Sequence, residues 1–133
     1  MWNKYGNKKV TTAEGTFDSK GEYARWLFLK DAERRGEIKD LQRQVRFSLV
    51  PPVHYYKTVQ LKTKTKQVER IWTQKVTYTA DFVYVCNGET IVEDFKGMPN
   101  DRWPIKKALM AFVHGIYVRE VKRPAEPIYN QEQ

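Results

Sequence analysis

Asp81, Asp94 and Lys96 are residue types from which a hydrolytic divalent-metal site is built, and their spacing brings them together. The run Lys75–Val85 is rich in β-branched and aromatic residues, Asn87-Gly88 follows, and Thr90–Lys96 resumes the pattern. Asn-Gly suits a two-residue type I′ turn. Such a turn pairs Cys86 with Glu89 and Val85 with Thr90 and, continued down the ladder, sets Asp81 directly opposite Asp94. Opposed Cβ atoms lie about 4.5–5.5 Å apart, where two carboxylates repel unless something neutralises them, as a cation between them would. Side chains alternate along a strand, so Asp94 and Lys96 share a face, whereas Glu93 falls opposite Phe82 on the other. Mg²⁺ takes carboxylate and carbonyl oxygens at roughly 2.0–2.1 Å and keeps several waters, so two facing aspartates form part of a shell. The Lys96 ammonium beside them can hold an attacking water or offset charge on a phosphate. The plainer alternative is a hairpin with two carboxylates and Lys96 as their salt-bridge partner.

A third acid comes from a helix that opens at Phe17–Tyr23, draws its apolar members from Tyr23, Trp26, Leu27 and Ala32, and ends at Gly36. Glu22 lies in its first turn. Ser19-x-x-Glu22 reads as a capping box, in which the glutamate folds back on the N-cap amide and does no chemistry. The order of parts supports a different role: an acid at the start of a helix, then strands, an aspartate, an Asp-x-Lys triplet, and another helix.

That order, with these residues, resembles the PD-(D/E)XK nuclease superfamily, whose site combines a helical glutamate, a strand aspartate and an (Asp/Glu)-x-Lys triplet. More narrowly, Phe17-Asp18-Ser19-Lys20-Gly21-Glu22, Gln44-x-x-Phe47-x-Leu49, Tyr78-Thr79-Ala80-Asp81-Phe82 and Val92-Glu93-Asp94-Phe95-Lys96-Gly97 are similar to a family of small phage and prophage proteins long left without an assigned role. Those proteins resemble Holliday-junction resolvases of the same superfamily. The resemblance covers the whole chain. It implies that Glu22, Asp81 and Asp94 hold Mg²⁺, for which Mn²⁺ would substitute, that the Phe95 backbone carbonyl adds a ligand, and that Lys96 is the catalytic lysine. Ala80 stands where the superfamily name has proline, a departure that touches no ligand.

Composition narrows the partner. Lys and Arg number 24 against 16 acidic residues, a formal net charge of +8, which favours a polyanion such as DNA. The 133 residues suffice for one domain, and 41% hydrophobic residues exclude a disordered chain. The single cysteine, Cys86, forms no internal disulfide, and neither a signal-type N-terminus nor an apolar span is present. These features point to a soluble cytoplasmic protein, in the host cytoplasm if phage-encoded, with no membrane partner. His54 and His114 stand apart in no metal-ligand spacing.

Gln44–Val50 alternates as a first strand stopped by Pro51-Pro52, with Gln44 read as structural. Residues 53–79 form an inserted hairpin arm, its strands Tyr55–Leu61 and Gln67–Trp72, leading into the Asp81 strand. Lys57, Lys62, Lys64, Lys66, Arg70 and Lys75 on this arm face only one acid, Glu69, and suit a phosphate backbone; the alternative is a solvated lysine-rich turn that keeps an edge from aggregating. Tyr55, Tyr56 and Trp72 either stack on unpaired bases or pack the arm onto the domain. A second helix starts at Asp101–Pro104, buries Ile105, Ala108, Leu109, Phe112 and Val113, and ends at Gly115. Lys106 and Lys107 on it either approach the cleaved strand or are surface lysines. Ile116–Val121 gives a last strand, and 122–133 a flexible tail.

The expected architecture is a single α/β domain with a restriction-endonuclease-like αβββαβ core, a mixed sheet flanked by helices, and an inserted basic hairpin. The expected function is a Mg²⁺-dependent endonuclease acting on branched DNA as a homodimer. A nickase, a flap or restriction-like nuclease, and a DNA-binding accessory protein that never cuts are the alternatives.

Overall fold

Two short motifs, a helix cap and a tight turn, fix where the first helix opens and where the central hairpin reverses. In the computed structural model, which describes residues 8–95 and 100–128, a small N-terminal hairpin pairs β1 (Val10–Thr12) with β2 (Gly15–Phe17). Helix α1 (Lys20–Arg34) follows, then β3 (Lys39–Val50), β4 (Val53–Gln60), β5 (Thr65–Thr73), β6 (Val76–Cys86), β7 (Glu89–Phe95), α2 (Arg102–His114) and β8 (Arg119–Val121). Ser19 Oγ accepts from Glu22 N at 3.1 Å and opens α1. Asn87 and Gly88 both take left-handed backbone, φ 52° and 81°, as a type I′ turn requires.

The main sheet has the order β3-β6-β7-β8, antiparallel except for the parallel β7/β8 pair. It is a mixed sheet in a mixed α/β fold, and leaving aside the arm its elements run α1-β3-β6-β7-α2-β8. The arm forms its own two-stranded sheet between β3 and β6. Helix α1 covers one face of the main sheet with Leu29 and Ala32 packed among Phe82, Tyr84, Ile91 and Phe95. On the opposite face α2 places Trp103 and Met110 among Leu49, Tyr78, Ala80, Val83 and Val92.

Both helices turn differently from their sequence periodicity. The buried face of α1 is Glu22, Arg25, Leu29 and Ala32, while Leu27 stands in solvent. A buried ion pair explains the rotation. Arg25 donates through Nε and Nη2 to the two oxygens of Glu93, at 2.9 and 2.7 Å, with both side chains fully enclosed and the Tyr84 hydroxyl also bonded to Glu93. On α2 the buried residues are Trp103 and Met110, and the expected core positions Ile105, Ala108, Phe112 and Val113 are exposed, Phe112 to 88%.

The Arg25 guanidinium also bonds the carbonyls of Pro124 and Glu126, and Ile128 packs on the core, so the tail expected to be flexible is anchored in its first part. Residues 129–133 lie outside the described residues. No helix among the described residues is long and apolar enough to cross a membrane.

Candidate functional site

The β6/β7 register runs from Cys86↔Glu89 to Phe82↔Glu93, as the Asn-Gly turn dictates. The next position belongs to Asp81 and Asp94, and there the ladder is completed by a side chain. Asp81 Oδ2 accepts from the Phe95 amide at 2.7 Å.

The cause lies in the neighbouring strand. Along β3, Leu41 packs on the α1 side whereas Val45, Phe47 and Leu49 pack on the α2 side; along β6, Phe82 and Tyr84 face α1 whereas Tyr78 and Ala80 face α2. In a regular strand, residues two apart share a face, so both strands reverse their faces at one level. That level is Gln44 and Asp81. Gln44 has φ 54°, a region that residues other than glycine rarely enter, and its side-chain amide donates to Asp81 Oδ1 at 3.4 Å. Asp81 therefore sits where the sheet changes faces and reaches sideways to β7. Gln44, read from sequence as structural, borders the site directly.

Asp94 is 6% exposed and Glu22 4%, while Asp81 is half-buried. Asp81 and Asp94 are close enough to share a hydrogen bond. Burial pushes Asp94 upward, reinforced by that bond and by the charge of Asp81; burial raises Asp81 too, with the Asp94 bond and the Phe95 amide pulling it back. Burial and mutual repulsion thus disfavour the doubly ionised pair. Burial, followed by the charges of Asp81 and Asp18, pushes Glu22 up to about 8, and Arg43 opposes the shift.

Helix α1 reaches Glu22's position because Gly21 has no side chain: a Cβ there would stand 2.8 Å from the Phe95 ring. Ser19 supplies its half of the capping box, yet Glu22 Oε2 is buried with no hydrogen-bond partner. The same holds for Asp94 Oδ2, the Tyr78 hydroxyl and Trp103 Nε1. Tyr78 lies beside Asp94, its own ionisation suppressed by burial and then by the Asp94 and Asp81 charges, and its ring centroid is 5.5 Å from that of Trp103.

Buried carboxylate oxygens of Glu22 and Asp94 without a hydrogen-bond partner, next to a carboxylate pair that repels itself, are acceptors of the kind a hard cation takes. Asp81 and Asp94 are of the residue types that suit Mg²⁺ on those grounds. Geometry limits the fit: among the described residues, no group of three or more His, Cys, Asp or Glu side chains that could hold a metal ion is present. Asp81 and Asp94 are a pair, and the charge of Asp81 acts on Glu22. Lys96, with residues 97–99, lies outside the described residues, immediately beyond the Phe95 carbonyl.

Sequence reasoning passed over the rim. Glu120 on β8 is the register partner of Asp94, raises it by charge, and accepts from Lys107 Nζ at 3.0 Å. Lys107 is thus held at the edge of the site from α2, while Lys106 is half-buried. Arg43 stacks over Phe17 at 3.9 Å and donates to Thr16 O at 2.7 Å, its charge directed at Glu22. The β7/β8 pairing that places Glu120 depends on a parallel crossover, for which local sequence holds no register signal.

On the arm, Lys57, Lys62, Lys64, Lys66, Arg70 and Lys75 are all exposed. Tyr56 and Trp72, at 68% and 70%, do not pack the arm onto the domain. The arm joins β6 at Val76, five residues before Asp81, about 17 Å along the strand.

A family model described as "Protein of unknown function (DUF1064)" matches residues 2–123. The chain belongs to this family. The DUF1064 match spans the site from Glu22 to Glu120 as well as the arm. No curated protein and no solved structure matches the chain.

Proposed function

We propose that this protein is a Mg²⁺-dependent DNA endonuclease, structure-specific for branched DNA in the manner of a Holliday-junction resolvase. The observation that carries the proposal is the Asp81–Asp94 pair with Glu22 beside it, supplied by two strands and a helix, with Glu22 Oε2 and Asp94 Oδ2 buried and without a hydrogen-bond partner. The element order α1-β3-β6-β7-α2-β8 agrees with the αβββαβ core of the PD-(D/E)XK nucleases, and the cationic arm agrees with a nucleic-acid partner.

In this reading Asp81 and Asp94 would hold the metal with Glu22 directly or through water, and the Phe95 carbonyl would join them. Bound Mg²⁺ would polarise a phosphoryl oxygen and lower the pKa of a water. Asp81 is held by the Phe95 amide and Gln44, so its carboxylate is preorganised. Lys96 orients the nucleophile, and Lys107 and Lys106 on α2 take neighbouring phosphates. Exposed cations of the arm position the DNA without reading its sequence. Resolution of a four-way junction needs two such sites, hence a homodimer, and the buried thiol of Cys86 suits a reducing cytoplasm.

A labelled four-way junction beside its linear arms tests the proposal. Cleavage of the junction with Mg²⁺ or Mn²⁺, absent in Asp94→Asn, is expected. Equal cutting of linear duplex would favour a nickase, flap or restriction-like enzyme. The absence of a ready three-ligand group among the described residues favours a second reading, a DNA-binding accessory protein. Binding without cleavage of any substrate would support that second reading.

A further inference from the structure

The strand register of the arm sorts its residues onto two unlike faces. Tyr55↔Arg70, Lys57↔Val68 and Val59↔Lys66 are opposed pairs, and these six residues share one face. The pairing slips at Val53/His54, and Trp72 in that irregularity meets the Tyr55 ring edge-on, centroids 5.6 Å apart, which sets the indole on the same face. This face holds every strand cation of the arm and no acid. The reverse face carries the arm's acid, Glu69, beside His54 at 4.0 Å, with Tyr56, Ile71 and neutral polar residues.

A row of cations at strand spacing that ends in a 70%-exposed indole has an obvious chemical complement. Lys57, Lys66 and Arg70 match successive phosphates, and Trp72, steadied by Tyr55, offers a flat π-surface to a base. In a duplex the base faces are occupied by their stacked neighbours, so the indole has a partner only where bases are unpaired. A bilayer is a poor match, because the arm's tip is Lys62-Thr63-Lys64 and not an apolar wedge.

We propose that the face built from Tyr55, Lys57, Lys66, Arg70 and Trp72 is a binding site for unpaired nucleotides, with the cations on the phosphates and Trp72 stacked on a base. The proposal rests on the nuclease reading only in taking DNA as the ligand; it would explain how that enzyme tells a branch point from linear duplex.

The test is fluorescence anisotropy with a labelled oligothymidylate, a blunt duplex of the same length and a four-way junction, in EDTA so that nothing is cut. Trp72→Ala is expected to weaken the single strand roughly tenfold and to leave the duplex within about twofold, since one base stack is lost. Trp72→Phe keeps a π-surface and should retain most of the affinity, and Tyr56→Ala, on the reverse face, should change neither. Lys57→Gln with Arg70→Gln should lower the slope of log affinity against log salt on the single strand by roughly 1.4, two phosphates' worth. All these side chains are exposed, and an unchanged thermal midpoint excludes misfolding.

The proposal is overturned if Trp72→Ala costs nothing, if it costs the same on duplex, if Tyr56→Ala matches it, or if the oligothymidylate does not bind at low salt. Binding as expected by a protein that never cleaves would sink the nuclease and leave this site standing. Mg²⁺-dependent junction cleavage with unchanged Trp72→Ala binding would do the reverse.

Discussion

At the level of single residues, the site is a set of carboxyls drawn partly or wholly out of water, of which Glu22 and Asp94 each leave an oxygen without a hydrogen-bond partner. For Glu22 the consequence is a pH-dependent stability whose sign can be worked out. Its folded-state value is raised from 4.5 to about 8, so the folded chain holds the proton more tightly than the unfolded chain. That contribution is fully present below 4.5 and is lost as pH climbs towards 8. Thermal melts in EDTA should therefore show a midpoint falling between pH 5 and pH 8, and the stabilisation by added Mg²⁺ should be larger at pH 8. A Mg²⁺ effect independent of pH would contradict the placement of Glu22 beside the metal. Gln44 makes a second, opposite kind of prediction. Left-handed backbone at a non-glycine residue costs about 1–2 kcal/mol, so Gln44→Gly should match or exceed the parent in thermal midpoint while cleaving more slowly, because Asp81 loses its neighbour. A lower midpoint with normal cleavage would mean that Gln44 serves the fold alone. That Asp81 lies opposite Asp94 was legible from the turn chemistry, whereas Glu22 read locally as a capping box and only the order of parts set it with them. Gln44's role was not, because a reversal of faces shared by two strands leaves no mark in either strand's alternation read alone.

Elements place those residues, and here the helices held the surprises. The α1 periodicity suggested an apolar stripe through Leu27, but the face that packs is organised by Arg25 and Glu93, two charges that sequence patterning assigns to the surface. Removing one partner leaves the other buried and unpaired, so Arg25→Ala should destabilise the fold by about 3–5 kcal/mol in chemical denaturation, far more than Leu27→Ala. A loss under about 1 kcal/mol would show that the pair is solvated. Gly21 is the other device of α1. In Gly21→Ala the new methyl meets the enclosed Phe95 ring, and a helix that moves to relieve the clash lifts Glu22 from Asp81. Cleavage should fall more than stability does, and crystals of the variant should show α1 displaced. The strands, the arm and the hairpin register could be read from β-branched runs, Pro51-Pro52 and Asn87-Gly88. The short β1/β2 hairpin and the parallel β7/β8 contact could not, since each pairs only three residues per strand.

For the whole molecule, the stripe expected in the core of α2 is left outside, with Ile105, Phe112 and Val113 exposed and Tyr117 just beyond. Phe112 and Tyr117 alone leave on the order of 300 Å² of aromatic surface in water, comparable to the largest apolar patch of an ordinary monomer, which is often functional. A helix stripe crossed with its own copy about a two-fold axis is self-complementary, and a junction-resolving enzyme needs such a pair. Sedimentation should find a dimer that Phe112→Glu converts to a folded monomer deficient in junction cleavage. A monomeric parent protein on a four-way junction would count against resolution. What decides the account is simpler still. Incubated with Mg²⁺, the protein should cut a labelled four-way junction and spare its linear arms, while Asp94→Asn, equally folded and equally able to bind, should cut neither. Cleavage surviving in Asp94→Asn, or no cleavage by the unaltered protein on any branched substrate, would contradict the claim that these carboxyls form a nuclease centre.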